Sequence, residues 1–459
     1  MQHYNDLLDG IRNHDRQAVS LAYFKITENL DELINSTEML DTFLNVEFGK
    51  EKEDVQQMAR STMSIVLFNH LFKSKEFSAS ESRIYWEMLL SMLTMLQEYG
   101  HCFAEGIVWK IVTSAIDFVT KLHNKITTVN PLQFTFTHDH HGEFQKISLQ
   151  SLIVVLKDLL NSAEDFPFKL SFTVSLSYCY LITENYVECH DVLSDVISTN
   201  DLWTRHNFEI ISVASFAYIW TCIMEMKFIE GANVIVLFMK KLSLFCIDFR
   251  LHDFYWVGKM LHLAVFYSCW IDNCQFTDFL LGKLELLNKH KMVPRNVNPL
   301  MGEGSQLLSP KIHRLEDNTL LGIVSSMCQE CIFSVIAKDD IVQLFDESSA
   351  NHTMPTASKS ALIEQLCADA RLSLKAKQIS KIVKMFKKIT TSKLAVLMQC
   401  SVDDIIHYTA TANDPDRQRE GHILFGFKIT SNDIIIYQEP VSIQQLFVPG
   451  TSLLLNMLK

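Results

Sequence analysis

Chain breakers are scarce in this sequence. Its 459 residues hold only 14 glycines and 9 prolines, while 48% are hydrophobic. A chain with so few places to turn favours long helices over many short strands, and its length suffices for two or three domains with a large buried core. The loops therefore stand out: Thr127 to Glu143, Lys291 to Pro310 and Asp346 to Ser358. Between them apolar residues recur at helical spacing. These intervals suggest a first set of helical repeats over 1–126, a second array over 144–345 containing the loop 291–310, a distinct unit over 359–440 and a short tail over 441–459.

A weak repeat runs through residues 166 to 290. Three long apolar helices are expected over Phe168–Ile182, His206–Met226 and Leu251–Ile271. Each is followed by a short break, then an aromatic residue, one further residue and an acid: Tyr186-Val-Glu188, Phe228-Ile-Glu230 and Phe276-Thr-Asp278. An acid in the first helical turn is favoured by the helix dipole, and an aromatic beside it can pack back across the hairpin as a staple does. A period of 40–50 residues is that of stacked helix pairs, as in TPR-like solenoids. Val55–Phe72, Ser80–Leu96 and Gly106–Leu122 share this texture.

The end of the chain differs. An apolar helix begins over Lys359–Cys367, and a second carries Ile379, Ile382, Val383 and Phe386 on one stripe. That helix stops at Ile389-Thr390-Thr391-Ser392, where a hydroxyl can cap the next helix, Lys393–Gln399. Ser401-Val-Asp-Asp404 reads as a capping box opening a short helix, Val402–Thr409. Beyond a polar loop, Ile423, Phe425, Phe427 and Ile429 alternate, Ser431-Asn-Asp433 turns, and Ile434-Ile-Ile-Tyr437 returns as a hairpin. This order of elements is that of a winged helix, so the expected fold is mainly α: a helical-repeat solenoid followed by a winged-helix domain with a small β-hairpin. The hairpin presents strand edges that a neighbouring chain can extend by β-augmentation. Phe425, Phe427, Ile434, Ile436 and Tyr437 are the candidate partner-binding residues.

A winged helix raises the question of DNA. Eight basic residues and no acid lie between Arg371 and Lys393, making Lys377, Lys381, Lys384 and Lys388 a candidate basic contact surface. The helix that would enter the major groove carries Asp403 and Asp404 and no Arg or Lys, so phosphates would be repelled there. The net charge of −12 argues the same way for the whole chain.

The stretch Gln378-Ile-Ser-Lys-Ile-Val-Lys-Met-Phe-Lys-Lys-Ile-Thr-Thr-Ser-Lys-Leu-Ala395, followed by Ser401-Val-Asp-Asp-Ile405, resembles the heart of a PCI domain. That family is shared by the proteasome lid, the COP9 signalosome and translation initiation factor 3. Its members are helical-repeat arrays that end in a winged helix. The resemblance covers about 75 residues, and its spacing around Gln378–Ala395 is most like the signalosome type. It implies a non-catalytic scaffold bound to other PCI and MPN subunits. Their complex removes a ubiquitin-like modifier from cullins, with catalysis in another subunit. The alternatives within the family are a proteasome-lid subunit or an RNA-associated protein of the initiation-factor or mRNA-export type. Two features depart from the family pattern: a long loop over Ala412–Gly421, and a tail in which Pro449-Gly450 interrupts any final helix.

No catalytic, cofactor-binding or metal-ligating residues are expected. His138-Asp-His-His141 with Glu143 is the most metal-like run, but adjacent residues rarely point at one centre, and it reads as a solvated loop. Cys328-Gln-Glu-Cys331 falls on one helical face and reads as core. Gly302-Glu-Gly304 lacks the third glycine of a dinucleotide loop. The eleven cysteines form no spacing framework, as for reduced thiols. Met1–Arg16 lacks the apolar core of a signal peptide. The longest uncharged apolar stretch, Ile210–Tyr218, is shorter than the roughly 18–20 residues a bilayer needs. Cytoplasmic and nuclear residence is the corresponding expectation.

Overall fold

The computed structural model describes residues 2–29, 54–74, 79–128, 147–162, 168–204, 207–225, 227–245, 255–270, 282–283, 317–328, 356–386, 388–414 and 426–438. They form a mainly helical protein with one small three-stranded sheet. The chain divides into two compact units, 1–185 with 333–356, and 186–332 with 357–459.

In the first unit the helices are α1 (Gln2–Arg12), α2 (Arg16–Glu28), α3 (Asp54–Ser74), α4 (Ala79–Tyr99), α5 (Glu105–Thr128), α6 (Leu149–Ser162) and α7 (Lys169–Ile182), with a 3-10 turn at Gly100–Cys102. Helix α1 packs on α2 and α3, α4 on α3 and α5, and α7 on α5 and α6. The core holds Tyr85, Trp86 and Phe118. Tyr85 stacks on Phe68 at 4.8 Å and meets Phe118 edge-on at 4.7 Å. Its hydroxyl bonds Asn69 Oδ1 at 2.5 Å, so this buried polar tip is satisfied. Helix α1 ends without glycine. His14 adopts the left-handed conformation (φ 53°), Asp15 N–H donates to Gly10 C=O and His14 N–H to Ile11 C=O. That pair of bonds is a Schellman cap. The Asp15 carboxylate then accepts from Gln17 and Ala18 N–H and starts α2.

The second unit opens with α8 (Tyr186–Ser198), α9 (Phe208–Met224), α10 (Phe228–Phe245), α11 (Tyr255–Trp270) and α12 (Asp317–Cys328). Helices α8 and α10 begin at Tyr186 and Phe228, with Glu188 and Glu230 in their first turns, as the repeat pattern requires. The third opening, at Phe276, lies outside the described residues. Helix α9 is the centre of this group, packing on α8, α10 and α11. All of Ile210 to Ile223 is buried in it, as expected for a helix apolar on every side. Among the described residues no helix is long and apolar enough to cross a membrane. At Gly231 the Tyr267 ring of α11 lies close against the α10 backbone: a β-carbon there would lie 2.7 Å from Tyr267 Cζ and nearer still to its hydroxyl.

The C-terminal part runs α13 (Thr356–Phe386), β1 (Lys388–Thr390), α14 (Thr391–Met398), α15 (Val402–Ala412), β2 (Gly426–Ile429) and β3 (Ile434–Gln438). Where the sequence suggested two helices before residue 390, there is one of 31 residues. The junction Ala368–Lys377 consists largely of Ala, Leu, Lys and Arg and has no breaker to divide it. The hairpin is also not alone. The residues expected to end a helix and turn form β1, which pairs with β3, so the strand order is β1-β3-β2, all antiparallel. The expected capping box is present: Ser401 Oγ accepts from Asp404 N–H at 3.0 Å, and Asp404 accepts from Ser401 N–H at 2.9 Å. Thr390 caps α14 by accepting from Lys393 N–H, and Thr391 N–H donates to Asp433 C=O, joining the start of α14 to the hairpin turn.

Candidate interaction surface on the C-terminal sheet

Strand register decides which of the candidate residues face outward. Phe427 lies opposite Tyr437, Ile429 and Ile389 opposite Ile435, and side chains alternate along each strand. One face of the sheet therefore carries Ile389, Phe427, Ile429, Ile435 and Tyr437. It closes a core with Ala376, Ile379, Val383, Leu394, Ala395 and Ile405. Phe427 is 2% exposed and meets Tyr437 edge-on at 6.4 Å. It is a structural residue of this unit, so its expected role toward a partner is withdrawn. Ile435, which the sequence analysis did not single out, is fully buried beside it.

The opposite face carries Ile434 and Ile436, both half-buried. Ile436 stands between two exposed lysines, with Lys388 opposite on β1 and Lys428 opposite on β2. This row is a branched apolar side chain flanked by two cations. Phe425 lies outside the described residues.

The four lysines proposed as one basic surface are not equivalent. Lys381, Lys384 and Lys388 are exposed, whereas Lys377 is 4% exposed and cannot belong to it. The physical reason is the helical period. Lys377 follows Leu366, Ala370 and Leu374 at positions i+11, i+7 and i+3, and all four are buried. Lys384 Nζ lies 4.4 Å from the centre of the Tyr437 ring and Lys393 Nζ 5.5 Å from that of Phe386, both within cation–π range. Tyr437 thus belongs to the inner face, with its ring beneath the Lys384 ammonium.

The strand edges are less available than the sequence implied. Strand β3 is central, so its backbone is committed to both neighbours. On β2, Thr430 N–H donates to Ile434 C=O. Antiparallel alternation then turns the N–H and C=O of Phe427 away from β3. Both are taken by one side chain: Phe427 N–H donates to Asn413 Oδ1 at 2.7 Å, and Asn413 Nδ2 donates to Phe427 C=O at 2.7 Å. The Asn413 amide stands where the next strand would begin and blocks strand addition at that point. Asn413 was missed in the sequence because it sits at the end of α15, 14 residues before its partner.

Around the ends of α14 and α15, Val396, Leu397, Val402 and Ile406 are exposed apolar groups, with Val396 at 77%. The exposed side chains of α15 also include Asp403 and His407, with no Lys or Arg. Hydrogen bonds from Ser401 hold the Asp404 carboxyl below its ordinary pKa. Anionic groups at the start of α15 oppose the approach of phosphate. Of the metal-like and cysteine motifs, His138–His141, Gly302–Gly304 and Cys331 lie outside the described residues. Cys102, Cys179, Cys189, Cys222, Cys367 and Cys400 are free thiols, and of these all but Cys400 are buried.

No protein-family model matches the chain, and no curated protein is significantly similar to it.

Proposed function

We propose that this chain is a non-catalytic scaffold subunit of a multi-subunit PCI complex, of the COP9 signalosome type and closest to its subunit 3. In this reading the helices up to α12 form a solenoid that carries partners along its face. The C-terminal part is a winged helix that docks on sister subunits. The order α13-β1-α14-α15-β2-β3, with β3 central, supports it: helix, strand, helix, helix and a two-stranded wing is the winged-helix order. The PCI-like residues Gln378–Ala395 span the end of α13, β1 and the start of α14, the elements that build this core.

The docking surface we assign is the outer sheet face with Ile434, Ile436, Lys388 and Lys428, in place of a strand edge. An apolar ridge between cations suits a sister subunit that offers an apolar patch rimmed by carboxylates. The acidic start of α15 weighs against nucleic acid as the ligand of this part.

Native purification of the tagged chain with mass spectrometry of its partners tests the assignment. Other PCI subunits together with an MPN metalloprotease and cullins are the expected result. Proteasomal ATPases and core particles would move the chain to the lid, and ribosomal or export factors to the RNA-associated branch. Purification of the chain alone would remove the scaffold reading.

A further inference from the structure

In the first unit, three potential metal ligands converge from two separate corners of the fold. His14 occupies the left-handed position of the Schellman cap between α1 and α2. His101 and Cys102 lie on the 3-10 turn that joins α4 to α5. His101 Nε2 is 2.7 Å from His14 Nδ1, and His14 Nδ1 is 3.2 Å from Cys102 Sγ. All three ligand atoms lie within 4.8 Å of one another. The thiol is buried and held beside Ile11 C=O, with Sγ to O 3.7 Å, whereas both imidazoles are exposed. The thiol forms the floor of the site and the imidazoles form its rim, their ring centres 4.6 Å apart.

From this convergence we propose that His14, His101 and Cys102 form a zinc site. One thiolate and two imidazoles are a donor set that zinc takes in tetrahedral geometry. With Zn–N near 2.0 Å and Zn–S near 2.3 Å, neighbouring ligand atoms of a tetrahedron stand about 3.3–3.6 Å apart. The His14–His101 and His14–Cys102 pairs are about 0.6 and 0.3 Å shorter, so outward rotation of the two exposed rings admits the ion. Backbone geometry already aims the ligands. The cap fixes His14, and the tight turn presents two adjacent side chains to one centre. Three protein ligands leave a fourth position for water or for a donor from a bound partner. The ion would pin the α1–α2 corner to the α4–α5 corner.

The test is a zinc titration of the full-length chain, with its affinity tag removed and its metal stripped, against a chromophoric chelator. Cobalt(II) substitution reports the ligand type. We expect one tight equivalent of zinc and a thiolate-to-cobalt charge-transfer band. His14→Asn keeps a residue that tolerates the left-handed backbone and should weaken zinc at least tenfold. Cys102→Ser should abolish the band. A His138→Gln/His140→Gln/His141→Gln variant should keep both properties. No tight equivalent in the native chain would overturn the site, as would zinc affinity and a cobalt band unchanged in His14→Asn and Cys102→Ser. Loss of binding in the triple variant alone would overturn it too.

Discussion

Replacing Asn413 by alanine should expose the outer edge of β2 at a single residue. The Asn413 amide makes two hydrogen bonds of 2.7 Å to the Phe427 backbone. A typical intramolecular hydrogen bond contributes about 0.5–1.5 kcal/mol net, so the pair is worth about 1–3 kcal/mol. Alanine retains the backbone of the α15 C-terminus, whose closing bonds from Asn413 N–H to Thr409 and Ala410 C=O do not use the side chain. The loss should therefore be local. At 1.4 kcal/mol per decade, it corresponds to roughly 5- to 140-fold faster hydrogen exchange at the Phe427 amide. The amides of β3, which is paired on both sides, should change far less. Native-state exchange read by NMR or by fragment mass spectrometry measures this. Asn413→Asp keeps an acceptor for Phe427 N–H but sets a carboxylate against Phe427 C=O, so it should preserve amide protection while lowering stability. Unchanged exchange at Phe427 in Asn413→Ala would refute the view that this side chain closes the sheet edge.

Other perturbations probe separate parts of the account. Gly231→Ala should destabilise the α10–α11 contact by about 1–3 kcal/mol through overpacking against Tyr267, seen as a lower denaturant midpoint, and Tyr267→Phe should relieve part of that loss. Phe427→Ala should cost about 3–5 kcal/mol, a core truncation, detected as loss of protection throughout β1–β3. Ser401→Ala should remove the cap of α15 and cost about 1 kcal/mol, measured by exchange in its first turn. Burial, with Lys259 adding a smaller effect, pushes His262 down to about 4. The unfolded chain then binds a proton that the folded chain refuses between pH 6.5 and 4. The contribution is full above about pH 6.5 and is lost as pH falls toward 4, up to roughly 3 kcal/mol in all. His262→Leu should flatten that part of the stability–pH curve.

The helices were legible in the sequence because their causes are local. Apolar spacing and first-turn acids marked the starts of α8 and α10, and Ser401 with Asp404 marked that of α15. The two helices expected over Lys359–Cys367 and through Ile379–Phe386 are one, because no residue between Cys367 and Gln378 interrupts a helix. Strand β1 was missed for the opposite reason: three residues, Lys388–Thr390, become a strand only because β3 lies alongside. The faces of the sheet followed from alternation, but alternation does not say which face is the core. Val383, Leu394 and Ile405 decide it by joining Phe427 and Ile435 in one core. The His14–His101–Cys102 trio was invisible because its members lie 87 and 88 residues apart.

The central claim is that the outer sheet face holds the chain in a PCI complex. The most direct measurement compares partners recovered with the wild-type chain and with an Ile436→Glu/Lys428→Glu variant, purified natively and quantified by mass spectrometry. Hydrogen exchange across β1–β3 serves as the control for folding. The account predicts loss of the sister PCI subunits from the variant while protection of β1 and β3 is retained. Full recovery of the same partners by a folded variant would contradict it.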